Sequence, residues 1–397
     1  MLTEQSNTLA NPLSLPQRQG LLVMRVLYFL FFAGVGAYWP FINVYFNEIG
    51  LTGTQIGMVN TLSPLVGIIA ATIWGMLNDR LGNPRLLLLM AGPGNIIAAL
   101  LLASGNSFGL IVLFAGLLAL FNSAIQPLMD NTTMRLLGDQ AGRYGRYRVA
   151  GSFGFIIVSF LIGYLLAQTG LKMLFYVYAI IMAVFVLAAS RLPIQPIRLA
   201  GSLWGGLSQM VRQPAWLLFA VSVTLLWISN NGTMNFIGIT IRGMGGSDAL
   251  IGLVSMMAAV SEIPIMLSGS WLLRRVGHTL LLSLAFILFT VRGILLALMP
   301  SPEWAVGISL LAGLSFASFW LSAVAYANES APDHLKSTAQ GLLFSILNIA
   351  NMGGSMSSGW LFDQVGPRGL FWGMSAFSAL GLLVFITGRL WFRRNRK

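Results

Sequence analysis

The chain has no cysteine, only two histidines, and little charge: of 397 residues, 9% are Asp, Glu, Lys or Arg. Without cysteine, a disulfide scaffold, thiol catalysis and a cysteine-ligated metal site are excluded. So little charge also excludes a soluble domain, because 56% of the residues are hydrophobic and the mean hydropathy is +0.80. Phosphate-binding P-loop and H-E-x-x-H metal motifs are missing, so ATP-driven pumping and metalloprotease chemistry lack support. Gly105 to Gly109, G-N-S-F-G, fits the pattern of a nucleophilic serine. It falls in a short turn with no strand and no nearby histidine, so it reads as chance. The chain is not read as an enzyme, and neither cofactor nor metal is expected.

What is present is a succession of apolar runs, each near the roughly 20 residues a helix needs to cross about 30 Å of hydrocarbon. Spans are expected near 21–46, 55–78, 85–104, 108–134, 146–168, 171–190, 215–240, 249–273, 279–299, 304–328, 337–361 and 368–391. With this assignment, nineteen of the 23 Lys and Arg residues fall on the side holding both termini. Three, Lys172, Arg242 and Arg368, fall on the other, and Arg292 lies inside a span. The bias puts both termini in the cytoplasm and makes the net charge of +12 a topology signal rather than a sign of nucleic acid. The expected organisation is a cytoplasmic tail over 1–20, a six-helix bundle over 21–190, a cytoplasmic linker over 191–214, a second bundle over 215–391 and a basic tail over 392–397.

The two bundles carry traces of a repeat. G-Y-L-L-A-Q-T-G at Gly163 to Gly170 and G-W-L-F-D-Q-V-G at Gly359 to Gly366 agree at four of eight positions, at an offset near 196. A duplicated six-helix unit enclosing a midplane site is the plan of many secondary transporters.

Four charges stand out inside or at the ends of spans. Asp130 lies nine residues before Asp139 in the turn between spans 4 and 5, and Arg148 nine after, so on antiparallel helices they reach similar depth. Glu262 and Arg292 are each fifteen residues from Gly277, about 22 Å along their helices and near mid-bilayer. A charge at that depth is disfavoured by roughly 2.5–3.5 kcal/mol, so it pairs or faces a wet cavity. A carboxyl group that trades arginine for solvent can take up and release a proton, which makes Glu262 the first candidate for proton coupling, Asp130 the second, and Arg292 their partner. Gln126, Asn230, Asn231, Trp320, Asn348 and Asn351 are candidate substrate contacts beside Asp130 and Arg148. Tyr28, Trp39, Asn43, Asn122, Asn235 and Tyr326 could line the same cavity. Asn348, Asn351 and Ser355 share one helix face by their i, i+3, i+7 spacing. Interhelical hydrogen bonding explains such residues without any ligand, and Trp39 and Trp304 also suit interfacial anchors. His278 and His334 are expected to be solvated in cytoplasmic turns.

The turn G-M-L-N-D-R-L-G-N-P-R, Gly75 to Arg85, matches a signature of the major facilitator superfamily. Its Gly75, Asp79, Arg80, Gly82 and Arg85 are expected to latch the halves together, with Gly75 permitting close helix packing. P-L-M-D at Pro127 to Asp130, followed by the arginine of Y-G-R-Y-R-V-A-G-S, resembles the lactose permease branch. Tyr38 to Gly57 and Thr338 to Ser345 are similar to the phenylpropionate permease and nucleoside-proton symporter group. This resemblance implies substrate contact for Asp130 and Arg148, and a functional acid and arginine in spans 8 and 9. Span 10 departs from the pattern, with Trp320 in a segment where relatives carry histidine.

The expectation is therefore an all-α membrane protein of twelve helices in two pseudo-symmetric bundles, a monomer in the cytoplasmic (inner) membrane. It would carry a small organic solute such as an aromatic acid, nucleoside or sugar together with protons, with no nucleic acid partner. Proton-driven efflux, or a transporter-shaped receptor or scaffold, are the alternatives.

Overall fold

A computed structural model describes residues 14–193, 214–329 and 336–394. The secondary structure assigned to these residues is helical. We number the helices α1 (Leu15–Glu48), α2 (Gly53–Leu81), α3 (Pro84–Ser104), α4 (Phe108–Leu137), α5 (Tyr144–Thr169), α6 (Met173–Ala189), α7 (Pro214–Gly243), α8 (Asp248–Leu267), α9 (Gly269–Arg275), α10 (His278–Leu298), α11 (Trp304–Glu329) and α12 (Lys336–Arg394). A 3-10 turn, Gly138–Arg143, joins α4 to α5.

Ten of these helices are long and apolar enough to cross a membrane, and α6 is a shorter apolar helix. The last of the ten, α12, breaks at Gly366, where φ is 68° and ψ −176°, followed by Pro367. Only glycine takes that conformation without strain, and proline cannot donate to the helix before it, so α12 is two spans. The described chain thus makes the twelve expected crossings. Span 8 differs in detail: α8 stops at Leu267 and restarts at Gly269, just after the internal Pro264. α1 starts ahead of its expected position because Ser14 and Gln17 form a reciprocal capping box with proline in the first turn. Ser107, from the nucleophile-like pattern, caps α4 by accepting from the Leu110 N–H. Most of the expected linker, the first thirteen residues and the end of the basic tail lie outside the described residues, as does His334.

Helices α1–α6 form one half, and α7–α12 the other. Call the end bearing Leu15 and Arg394 the near end. The halves meet at the opposite, far end through α2 against α12 and α5 against α8, and the contacts obey the repeat. A Cβ on Gly57 would strike the Ser355 carbonyl, and one on Gly252 would strike the Ser159 carbonyl. Ser159 and Ser355 are 196 residues apart, the offset of the two glycine motifs. One apolar core runs through the first half and over the far end of the second, joining Phe175 and Leu102 to Phe236, Ile251 and Leu370. A separate cluster around Phe219, Phe286 and Phe319 fills the near part of the second half.

Polar locks reinforce the far end. Asp363 on α12 accepts from the Gly53 and Thr54 N–H groups, both at 2.7 Å, and from the Thr54 hydroxyl at 2.6 Å. It thereby satisfies donors that the first turn of α2 leaves unpaired. Arg242 at the end of α7 bridges Glu48 of the first half at 2.5 Å and Asp248 at 2.8 Å. Asn43 donates to the Asn235 carbonyl on this side as well, and deeper in, the Thr61 hydroxyl donates to the Met352 carbonyl across the halves.

Candidate functional site

Between the halves lie two adjoining lobes of a cavity. The larger, about 900 Å3, is lined from α1, α2, α4, α7 and α12 by Trp39, Asn43, Asn60, Ser63, Asn122, Gln126, Asp130, Asn231, Asn235, Asn348, Asn351 and Ser355 among others. The smaller, about 400 Å3, holds Asn230, Met234, Glu262 and Arg292 within a wall of Phe155, Trp227, Phe316 and aliphatic side chains. Trp39, Asn231 and Asn351 border both, so Trp39 is cavity lining rather than an anchor at the membrane surface. Prolines interrupt α1, α2 and α4 at Pro40, Pro64 and Pro127, all three at the cavity wall. Each removes a helical N–H, which suits backbone that borders water.

Asp130 and Arg148 share a neighbourhood without a direct bridge. Asp130 accepts from the hydroxyls of Tyr28 at 2.7 Å and Tyr144 at 2.8 Å, while the Arg148 guanidinium lies 3.9 Å over the Phe32 ring and 5.8 Å from the Tyr28 ring. Two hydroxyl donors and a cation within reach of two rings stabilise charge without locking the acid to the arginine. Tyr28 is buried where α1 crosses α5, a crossing close enough that Gly154 faces the Phe29 carbonyl.

Glu262 and Arg292 line the same lobe but form no ion pair with each other. Arg292, 2% exposed, donates to Asn230 Oδ1 at 3.4 Å and to Met234 Sδ at 3.1 Å, and its Nε has no partner. Glu262 makes no hydrogen bond to a described residue; the charge acting on it is Arg148, on α5 of the other half. The four charges therefore do not form the two pairs suggested by depth alone: Asp130 is held by tyrosines and Arg292 by Asn230 and Met234.

The amides are connected. Asn351 Oδ1 accepts from Trp227 Nε1 at 2.9 Å and from Asn231 Nδ2 at 3.0 Å, and Asn348, Asn351 and Ser355 all face the larger lobe as their spacing predicts. Trp320 lies behind this surface, stacked on Phe316 and edge-on to Phe344. In the last turn of α2, Asp79 and Arg80 are exposed, Gly82 ends the helix in the left-handed region, and Arg85 at the start of α3 donates to the Leu192 carbonyl. A side chain at Gly75 would meet nothing, so close packing there is not a property of this conformation. His278 keeps part of its side chain exposed and lies 3.0 Å from the carboxylate of the exposed Glu329. Reading the sequence missed Tyr144, Asn60 and the locks at Asp363 and Arg242; the first two bond to the neighbouring helix, Tyr144 to Asp130 and Asn60 to Asn43, and the last two reach the other half of the chain.

Residues 21–372 match the MFS_1 like family. The chain is 31% identical over 376 residues to maltose permease of Geobacillus stearothermophilus, an alignment covering 92% of this chain and 93% of that one. It is 25% identical over 371 residues to the probable 3-phenylpropionic acid transporter of Escherichia coli (strain K12), covering 88% and 92%. The fold is shared with the nucleoside transporter NupG at a TM-score of 0.81, over 93% of this chain and 98% of that one, with 18% sequence identity. With a family match along nearly all of its helices and a permease relative above 30% identity over almost its full length, the chain belongs to the MFS_1-like family and is a multi-pass membrane transporter of the major facilitator type.

Proposed function

We propose that the protein takes up a small, hydroxyl-rich organic solute together with protons across the cytoplasmic membrane, exposing its central cavity alternately to either side. The distribution of Lys and Arg supports placing the near end in the cytoplasm, so the conformation described is the inward-open one. The exposed Asp79 and Arg80 fit that state, with the turn of Gly75, Asp79, Arg80, Gly82 and Arg85 acting as a latch that engages when the near end closes. The observation that carries the coupling is the placement of Glu262 at the lobe between the halves, with no ion pair or hydrogen bond to a described residue and with Arg148 of the other half as the charge that influences it. Moving the halves changes that separation, and with it the carboxyl group's hold on a proton. Asp130 and Arg292 complete the coupling set.

Solute recognition falls to the larger lobe, where Gln126, Asn231, Asn348 and Asn351 present neutral donors and acceptors beside Asp130, with Asn230 at the smaller lobe and Arg148 and Trp320 just behind the wall. A neutral amide wall matches the hydroxyls of a sugar or nucleoside better than it matches a lone carboxylate. The reading is tested in vesicles of purified protein given an inward proton gradient and radiolabelled maltose, uridine or 3-phenylpropionate. Accumulation abolished by a protonophore is expected. Accumulation of all three probes at background removes the uptake reading, and extrusion in place of accumulation reverses its direction.

A further inference from the structure

Between the cavity and the sealed far end lies a layer of neutral amides drawn from both halves. Asn43 on α1, 8% exposed, donates from Nδ2 to the Asn235 carbonyl oxygen at 3.1 Å and to Asn235 Oδ1 at 3.5 Å. Its own Oδ1 accepts from Asn60 Nδ2 at 3.0 Å. On the other side, Asn235 Nδ2 donates to Asn231 Oδ1 at 3.0 Å and to Ser355 Oγ at 3.1 Å. Asn43, Asn60 and Asn235 all border the larger lobe, so the layer is also its roof.

Buried amides are costly unless partnered, and here they partner one another across the interface. Alternating exposure requires this interface to part. When α1 and α7 separate, Asn43 loses Asn235, and unpaired donors and acceptors line the passage that a solute from the far side enters first. Hydroxyl groups both donate and accept, so adjacent hydroxyls can take over both roles that Asn43 and Asn235 fill for each other. Neutral groups also let go readily, because the bonds to solute are replaced one for one by bonds between the halves.

Building on the transport reading above, we propose that Asn43, Asn60 and Asn235 form a second solute subsite, specific for vicinal hydroxyls of an uncharged sugar and used only while the far end is open. Re-forming the contact between Asn43 and Asn235 then passes the solute inward. The site differs from the charged set by its position above the cavity and by its dependence on conformation.

The test measures maltose flux in oriented vesicles, with sugar supplied at the far face or at the near face. Asn43→Ala should raise the far-face KM about tenfold relative to the near-face KM, the effect of one or two lost neutral hydrogen bonds. Asn60→Ala, at a less buried position, should shift the same ratio in the same direction by a smaller factor. A purely structural role would instead move both KM values together, or lower the amount of folded protein at unchanged ratio, and either result overturns the subsite. Wild-type vesicles that carry none of maltose, uridine and 3-phenylpropionate would overturn the transport reading and the subsite with it. Flux with an unchanged ratio in both variants overturns the subsite alone.

Discussion

At the scale of single residues, the charges behave as hydrocarbon demands, but their partners do not follow from depth. Counting along two helices brings Glu262 and Arg292 to one level, and both do line the smaller lobe. Counting gives height and not rotation, so it could not tell that Arg292 turns to Asn230 or that the charge influencing Glu262 is Arg148. If Glu262 carries the coupled proton, Glu262→Gln should abolish accumulation driven by a proton gradient while leaving exchange of labelled for unlabelled solute; undiminished accumulation in that variant removes Glu262 from the role. Asp130 is held by Tyr28, 102 residues away in sequence, and by Tyr144. Tyr28→Phe deletes a hydrogen bond to a charged group, an interaction of about 1.5–3 kcal/mol. The expected result is a transport rate about tenfold lower at normal amounts of folded protein, and an unchanged rate would show that Tyr144 alone suffices for Asp130.

Helices were legible in the sequence because twelve apolar runs each separated by a turn leave few other arrangements, and Gly366 with Pro367 marks the division of α12. Their mutual fit was not legible, since a glycine announces that something comes close without saying what. Gly313 on α11 is the sharpest case near the site: a Cβ there would overlap the Ala258 carbonyl, the Ser261 hydroxyl and the Glu262 N–H. Backbone atoms cannot swing aside, so Gly313→Ala must push α11 from α8 at the very turn that presents Glu262. Overpacking of this kind costs about 1–3 kcal/mol. A fall of several degrees in Tm and impaired proton-driven accumulation are expected together. Gly75→Ala is the control, because its Cβ meets open space in this conformation; equal destabilisation by both substitutions would show that space at Gly313 is not the cause.

For the whole molecule, two halves and a basic face could be read from the sequence because periodicity and charge placement are local, and the closed end could not. What selects the closed end in this conformation is a set of contacts between distant segments. Asp363 reaches across the interface to the first turn of α2, and Glu48 reaches Arg242. A carboxylate capping a helix N-terminus contributes about 0.5–2 kcal/mol, with about 0.3–1 kcal/mol available from the helix dipole. Asp363→Ala should therefore shift the population toward the far-open state by about tenfold, a change of about 1.4 kcal/mol. The absence of cysteine makes this measurable, since a single cysteine introduced at Ser63 on the cavity wall has no native thiol to compete with it. A membrane-impermeant thiol reagent added at the far face should label Ser63→Cys faster when Asp363→Ala is also present, and slower reagent entry from the near face should accompany it. Labelling from the far face that is unaffected by Asp363→Ala would mean that the remaining contacts, the packing of α2 on α12 and α5 on α8 together with the Glu48–Arg242 bridge, close this end without it, leaving the carboxylate only a local cap.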